Sequence, residues 1–326
     1  MRMDQPVVIG MDIGGTKTLI GLVNPKGKPI AKYQFPTDIL NSPVEHLLKC
    51  INASKTLLEE NNIKNILGIG VNAPGLVDPK KGILIHAPYL EWRNIKMREF
   101  IQQYWPNTPV QIANDVNACA VGELLFGKGK TFTDFLWVTI STGIGGGIIQ
   151  NRQLIEGYSQ LAGEIGHFVV EWENGYQCTC GNRGCLEAYS SGTAIAKQTK
   201  RQIERDPYGE LAGYFNRRNL SISAENAAVA ANEGIEPALE IYRMAGNHLG
   251  RAFSYAINLL NPAAIIVGGG VSQSFELLKP SISEVLECSV ISEANKSIPI
   301  ITTGIGPEAG LIGAASLIYW NVYSYS

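Results

Sequence analysis

Three cysteines fall close together in Cys178-Thr-Cys180-Gly-Asn-Arg-Gly-Cys185, with His167 a short way upstream. The chain has only 6 cysteines in 326 residues, so this crowding is itself a signal. A Cys-X-Cys-X4-Cys run plus one histidine offers four ligands of the kind that close a tetrahedral Zn²⁺ site. The other reading is a pair of disulfides or buried free thiols, but the two thiols of Cys-X-Cys bridge each other poorly. Carboxylates flank the cluster: Glu164 in Gly163-Glu-Ile-Gly-His167, and Glu187 just after the last cysteine. A metal would clip the loop shut and fix those two acids.

A second chemistry resides in glycine turns. Asp12-Ile-Gly14-Gly15-Thr16-Lys17-Thr18 joins two apolar runs, and glycines there let backbone N–H groups close around an anion while threonines add hydroxyl donors. It is not a Walker P-loop, because the Gly-Lys-[Ser/Thr] ending and the following helix are missing. The pattern is echoed at Ser141-Thr142-Gly143-Ile-Gly-Gly-Gly147, and an apolar strand at Ala263 runs into Gly268-Gly269-Gly270. Two such hairpins could grip the phosphates of a nucleotide. The plainer alternative is two tight β-turns that serve only the fold.

Asn114-Asp115 closes the short strand Val110 to Ala113. A carboxylate at the C-terminal edge of a strand, opening a helix, stands where open α/β sheets place their sites. It could accept the proton of an attacking hydroxyl in phosphoryl transfer. Equally, Asp115 could simply cap a helix over Val116 to Leu125. The turn in Val71-Asn-Ala-Pro-Gly75-Leu-Val-Asp78 reads in isolation as an ordinary Pro-Gly turn.

The elements that must hold these groups follow from periodicity. Val7 to Val23 and Phe135 to Ile149 each read as strand, glycine turn and return strand, about one domain apart, which predicts two related halves facing across a cleft. Pro43 to Asn61 has helical spacing at Val44, Leu47, Leu48, Ile51, Leu57 and Leu58. Ile66 to Val71 is a strand after a helix, as in α/β crossovers. Ala224 to Leu260 reads as helix with a break near Pro237, and Gly310 to Tyr323 as a terminal helix. At 326 residues two domains are expected.

Composition excludes several classes. With 45% hydrophobic and 17% charged residues this is an ordinary globular chain. A formal charge of −2 gives no electrostatic reason to expect nucleic acid. Met1 to Pro6 lacks the apolar stretch of a secretory signal, and no apolar run reaches membrane-spanning length, so the expected compartment is the cytoplasm, where a thiol cluster is better metal-bound than oxidised. Cys50, Cys119 and Cys288 read as single small core residues.

Taken together, these residues resemble the ROK family, the repressor and sugar-kinase group of the actin-like ATPase superfamily. The block Leu161-Ala-Gly-Glu-Ile-Gly-His167 followed by Cys178 to Glu187 is its most specific part, and the resemblance spans nearly the whole chain. It implies an α/β fold of two ribonuclease-H-like domains around a central cleft: residues 1–118 rejoined by a C-terminal helix at 309–326, and residues 119–308 carrying the zinc loop. It implies Asp115 as catalytic base, and Gly75, Asn114, Glu164, His167 and Glu187 as sugar contacts. Asp12, Gly14, Gly15, Thr16, Lys17 and Thr18 match the first phosphate motif, Thr142 and Gly143 the second, and Gly268, Gly269 and Gly270 the turn near adenosine. His167, Cys178, Cys180 and Cys185 match a structural zinc site, and Mg²⁺ comes with ATP.

The activity so implied is an ATP-dependent hexose kinase, glucose to glucose 6-phosphate, in a homodimer or tetramer that binds neither nucleic acid nor membrane. Kinases of N-acetylmannosamine, fructose or mannose are the alternatives, as is a non-catalytic sugar-sensing regulator. Repressors of the group carry a helix-turn-helix ahead of this fold, for which a first strand at Val7 is expected to leave no room. Polyphosphate as donor would call for a strongly basic channel, which the sequence does not display. One segment departs from the family's glucokinases, which often read Asn-Ala-Pro-Asn-Leu-X-Trp: here His86 and Tyr89 stand in place of the two asparagines, in His86-Ala-Pro-Tyr89-Leu-Glu-Trp92.

Overall fold

The computed structural model describes residues 6–37 and 42–324. The leader reading at residues 1–5 therefore lies outside the described residues, as do 38–41 and 325–326. The chain begins with β1 (Val7–Ile13), β2 (Lys17–Val23), β3 (Pro29–Pro36) and α1 (Pro43–Glu60). Next come β4 (Ile66–Ala73), β5 (Leu76–Asp78), β6 (Ile83–Ala87) and β7 (Trp92–Ile95). α2 (Met97–Gln102), β8 (Val110–Asn114) and α3 (Asp115–Phe126) follow. β9 (Phe135–Ile140), β10 (Ile144–Gln150) and β11 (Gln153–Ile155) form the second strand group. The helices α4 (Glu187–Ser190), α5 (Gly192–Arg205), α6 (Glu210–Arg217), α7 (Ala224–Asn232) and α8 (Glu236–Leu260) come before β12 (Ala264–Gly268). Last are α9 (Phe275–Ser289), α10 (Glu293–Lys296), β13 (Ile300–Thr302) and α11 (Ala309–Ser324).

Contacts divide the chain into two compact units. One takes in the chain up to Asp134, Gly147–Ala162 and Thr303–Ser326; the other is Phe135–Gly146 with Gly163–Thr302. In the first, a five-stranded sheet has the order β3-β2-β1-β4-β8, antiparallel through β3, β2 and β1 and parallel through β1, β4 and β8. Its apolar core includes Ile9, Met11, Leu47, Ile51, Val71 and Trp92, under α1. That helix opens with a capping box in which Ser42 and Glu45 satisfy each other's backbone N–H groups.

The opposite face of this sheet holds a row of glycines in register, Gly21 and Gly70 each beside Gly10. Side chains at Gly10 or Gly21 would run into Leu311, and one at Gly70 into the Ala314 carbonyl. The glycines therefore let α11 lie directly on the sheet, where Leu311, Ala315, Ile318 and Tyr319 pack against Val8 and Val23. Tyr319 donates its hydroxyl to the Val23 carbonyl at 2.8 Å.

In the second unit β12 runs parallel to both β9 and β13, within the sheet order β11-β10-β9-β12-β13. The chain passes between the units at Gly146–Gly147, inside β10. The helical stretch from Ala224 breaks near Pro237, as expected. Gly234, at φ +83°, closes α7, and Pro237 lies in the first turn of α8, where it lacks only an N–H that has no helical partner. Cys50 is buried as expected and Cys119 half-buried, whereas Cys288 is exposed, because it falls on the solvent side of α9. Among the described residues no helix is long and apolar enough to cross a membrane.

Candidate functional site

Within the first unit, β1, the middle strand of its sheet, carries Asp12 near its C-terminal end and the chain turns at Gly14 to Thr16, where the Gly14 N–H bonds the Lys17 carbonyl at 3.0 Å. Gly15, Thr16 and Lys17 are exposed there. Thr18 is not: it is fully buried, its hydroxyl bonded to Thr37 at 2.8 Å and His46 at 2.9 Å, which ties the hairpin to α1 and keeps this hydroxyl in the interior. Asp12 sits beside Asn72, its register partner on β4. Burial pushes the Asp12 carboxyl up to about 6, and the charge of Asp115 adds to this, while a hydrogen bond from Asn72 and the charge of Lys17 oppose it.

Asn72 was not singled out in the sequence, although a polar residue at the end of an apolar strand was the available signal. It is fully buried and donates to the Gly310 carbonyl at 2.7 Å, so it links β4 to the first turn of α11. Gly310 has room for no side chain there, because Asp12 occupies the space.

The cap of α3 is Asn114 and not Asp115. Asn114 Oδ1 accepts the N–H of Val116 at 2.9 Å and of Asn117 at 3.4 Å, and its Nδ2 donates to the Gly75 carbonyl at 3.0 Å. Gly75, at φ +98°, is the turn residue that presents this carbonyl, and any side chain there would strike the His86 backbone. Asp115 is thereby displaced to the first helical position, its Oδ1 accepting the Val116 N–H at 3.0 Å. Tyr89 is exposed and lies against Gly15, while His86 belongs to β6.

Within the second unit, the turn at Ser141 to Gly143 is braced by the start of α5. The Gly192 N–H bonds the Ser141 carbonyl at 2.7 Å and the Thr193 hydroxyl the Thr142 carbonyl at 2.8 Å. Beside it opens a recess of about 660 Å³, lined by Thr142, Gly270, Tyr242 and one face of α5: Thr193, Lys197 and Lys200. The two lysines went unread because α5 itself did; their signal was the spacing of Thr193, Lys197 and Lys200 along one helical face. Gly268 and Gly269 do not line this recess. Gly268 gives way to the Trp137 ring, and Gly269, at φ +84°, passes close over the Ile140 carbonyl.

The cysteine loop is a knuckle built on short backbone links: bridges pair Val169 with Cys185 and Gln177 with Arg183, and the Gly181 N–H closes on the Cys178 carbonyl at 3.1 Å. Gly181 and Gly184 both take positive φ, and a side chain at Gly184 would meet the Glu171 carbonyl. The knuckle gathers His167, Cys178, Cys180 and Cys185, whose ligand atoms all lie within 4.8 Å of one another. Cys180 Sγ is 3.7 Å from Cys185 Sγ, and Cys178 Sγ is 3.8 Å from His167 Nδ1. The Cys180–Cys185 spacing is far too long for a disulfide and matches the S–S edge of about 3.8 Å expected of a tetrahedron with Zn–S bonds of about 2.3 Å. Burial pushes the Cys185 thiol up to about 12, so a bound cation is what would hold it as thiolate. The four residues fit Zn²⁺, with Nδ1 of His167 as the nitrogen ligand and Nε2 turned toward Glu164, 3.8 Å away. Glu187 lies next to the knuckle, accepting the Thr179 hydroxyl at 3.2 Å and the Ile144 N–H at 2.9 Å.

The ROK family model matches residues 8–320. A glucokinase of Halalkalibacterium halodurans is 30% identical over 312 residues, which is 95% of this chain and 94% of its own length. A solved ROK family glucokinase from Streptomyces griseus, in complex with glucose and AMPPNP, is 30% identical, with a TM-score of 0.78 over 95% of this chain and 98% of that one. A solved ROK family transcriptional regulator, a homolog of the Escherichia coli MLC protein, is 26% identical, with a TM-score of 0.88 over 98% of this chain and 79% of that one. These likenesses support the actin-like ATPase fold.

Proposed function

The chain belongs to the ROK family, and we propose that it is an ATP-dependent sugar kinase that transfers the γ-phosphoryl group of MgATP to a hexose hydroxyl, with glucose as the preferred acceptor. The observation that carries this reading is the division of labour between Asn114 and Asp115. Asn114 caps α3 and is anchored to the Gly75 carbonyl, which leaves Asp115 at the first helical position, its Oδ1 on the Val116 N–H and its charge beside the carboxyl of Asp12. In our reading Asp115 accepts the proton of the sugar hydroxyl as it attacks the γ-phosphorus. Asn114, Gly75, Glu164, His167 and Glu187 hold the sugar. Asp12 and the turn from Gly14 to Lys17, together with Thr142, Gly143 and Gly270, serve the nucleotide. Mg²⁺, bound with ATP, neutralises its phosphates. Zinc on His167, Cys178, Cys180 and Cys185 would have no open position for water, and its chemistry is to fix the loop that carries His167 and leads to Glu187.

A second reading is favoured by the likeness to a transcriptional regulator: a sugar-sensing module without turnover. The two readings separate in one experiment, ADP release from MgATP measured against a panel of hexoses and N-acetylhexosamines. Sugar-dependent ADP release supports the kinase; sugar binding with no release from any member leaves the sensor.

A further inference from the structure

Away from all of these residues, the second unit holds a second recess, of about 530 Å³. Its wall is the irregular segment from Val170 to Glu173 that leads into the cysteine knuckle, and its floor is the last turns of α8. Two aromatic rings border it. Trp172 is 81% exposed and Tyr255 43%, a large exposure for apolar rings that share one concavity.

The polar groups around those rings come in both senses. Arg251 uses one terminal nitrogen, Nη1, on the Val170 carbonyl at 2.8 Å and on Glu171 at 3.2 Å, while its Nη2 has no partner among the described residues. The Glu173 carboxylate likewise has no partner among the described residues. Unengaged donors and acceptors therefore stand side by side next to an exposed indole. An anion would meet two carboxylates, Glu171 and Glu173, against one guanidinium already paired to the first. An apolar ligand would strand the polar rim. A polyol satisfies both, because each hydroxyl donates and accepts, and the C–H face of a pyranose ring lies flat on an aromatic ring. The volume falls in the range of small-molecule sites.

We propose that this recess binds a neutral carbohydrate, with Trp172 and Tyr255 as stacking platform and Arg251 and Glu173 as hydroxyl partners. This proposal does not rest on the kinase reading.

The test labels the full chain with 5-fluorotryptophan and assigns the Trp172 resonance, among those of the 5 tryptophans, by its loss in Trp172→Phe. Glucose, N-acetylglucosamine and maltose are titrated separately, which distinguishes a single ring from the end of a longer chain. A saturable shift of the Trp172 signal is expected with at least one sugar, weakened by about tenfold in Tyr255→Ala and in Glu173→Ala. No saturable shift with any of the three sugars overturns the proposal. So does a shift that both variants leave undiminished, since it would originate at another site. A Trp172 shift that follows protein concentration without sugar makes the face a contact between copies and overturns it too. Turnover is not the readout, so failure of the kinase assignment and failure of this site are told apart.

Discussion

Glu187 Oε2 accepts the backbone N–H of Ile144 at 2.9 Å, which fastens the acid following the cysteine knuckle to the second glycine turn. A hydrogen bond to a carboxylate is among the stronger ones available to a protein. The residue just before Ile144, Gly143, has no side chain, and one there would collide with that same carboxylate oxygen. Gly143→Ala should therefore push the flexible end of Glu187 aside and break its bond to the Ile144 N–H, at a cost of about 1.5–3 kcal/mol for a hydrogen bond to a charged group. If Glu187 holds sugar, KM for the sugar should rise more than kcat falls. A wild-type KM in a folded Gly143→Ala protein would remove Glu187 from the sugar contacts.

Asp115→Asn should lower kcat by about two to four orders of magnitude, the usual worth of a positioned base, while leaving sugar affinity and melting temperature close to wild type. Preserved stability is part of the expectation, because Asn114 caps the helix. Single-turnover rates and calorimetric sugar titration check the two halves separately. Retention of a tenth of the wild-type kcat would end the assignment.

Elemental analysis should return about one zinc per chain, as four protein ligands form one closed site. Cys180→Ala should lose the metal, lower the melting temperature and weaken sugar binding together. Metal-free protein that binds sugar with full affinity would show that the site does not depend on the ion.

Asp12 offers a pH signature. Its carboxyl is raised from 3.8 to about 6 by burial, so the folded state disfavours the charge relative to the unfolded chain. The stability this group can contribute is complete below 3.8 and is lost as pH rises through 6. Asp12→Asn should accordingly be more stable than wild type at neutral pH, by up to about 3 kcal/mol, with the gap closing toward pH 4. Denaturant unfolding of both proteins across that range checks it; a gap independent of pH would mean that the Asp12 charge is not what strains the fold.

In the sugar panel, glucose should show the highest kcat/KM and 2-deoxyglucose a markedly lower one, because a site that hydrogen-bonds a hydroxyl rejects the analogue lacking it. An advantage of tenfold or more for N-acetylmannosamine or fructose, about 1.4 kcal/mol in transition-state binding, would replace the acceptor and keep the chemistry.

What the sequence disclosed was set by local pattern. The Cys178 to Cys185 spacing, the turn at Gly14 and Gly15 and the helical period of α1 are each contained in one short stretch, and each stands in the fold as read. What it withheld depends on partners far along the chain. Nothing near Thr18 announces that His46 will bind its hydroxyl, and nothing near Asn72 announces Gly310. Asp115 as cap and Asn114 as cap are equally good sequence readings; only the Gly75 carbonyl, 39 positions away, separates them. Lys197 and Lys200 were withheld for a different reason: they are ordinary helix-surface residues until the second glycine turn is placed beside their face.

The glycine row on the first sheet also sets a timetable. Gly10, Gly21 and Gly70 leave the ribosome early, but the helix shaped to lie on them starts at Ala309. At about 5–20 residues per second, on the order of ten seconds or more pass before that helix exists. Through that interval the face of β1, β2 and β4 that this helix covers, with Val8 and Val23 beside the glycines, has nothing of α11 on it. The unit that contains β9 and β12, by contrast, has its whole chain by Thr302. The half that is begun first is thus the half that finishes last, and a nascent chain stalled before Ala309 would carry one completed unit and one with its sheet still uncovered.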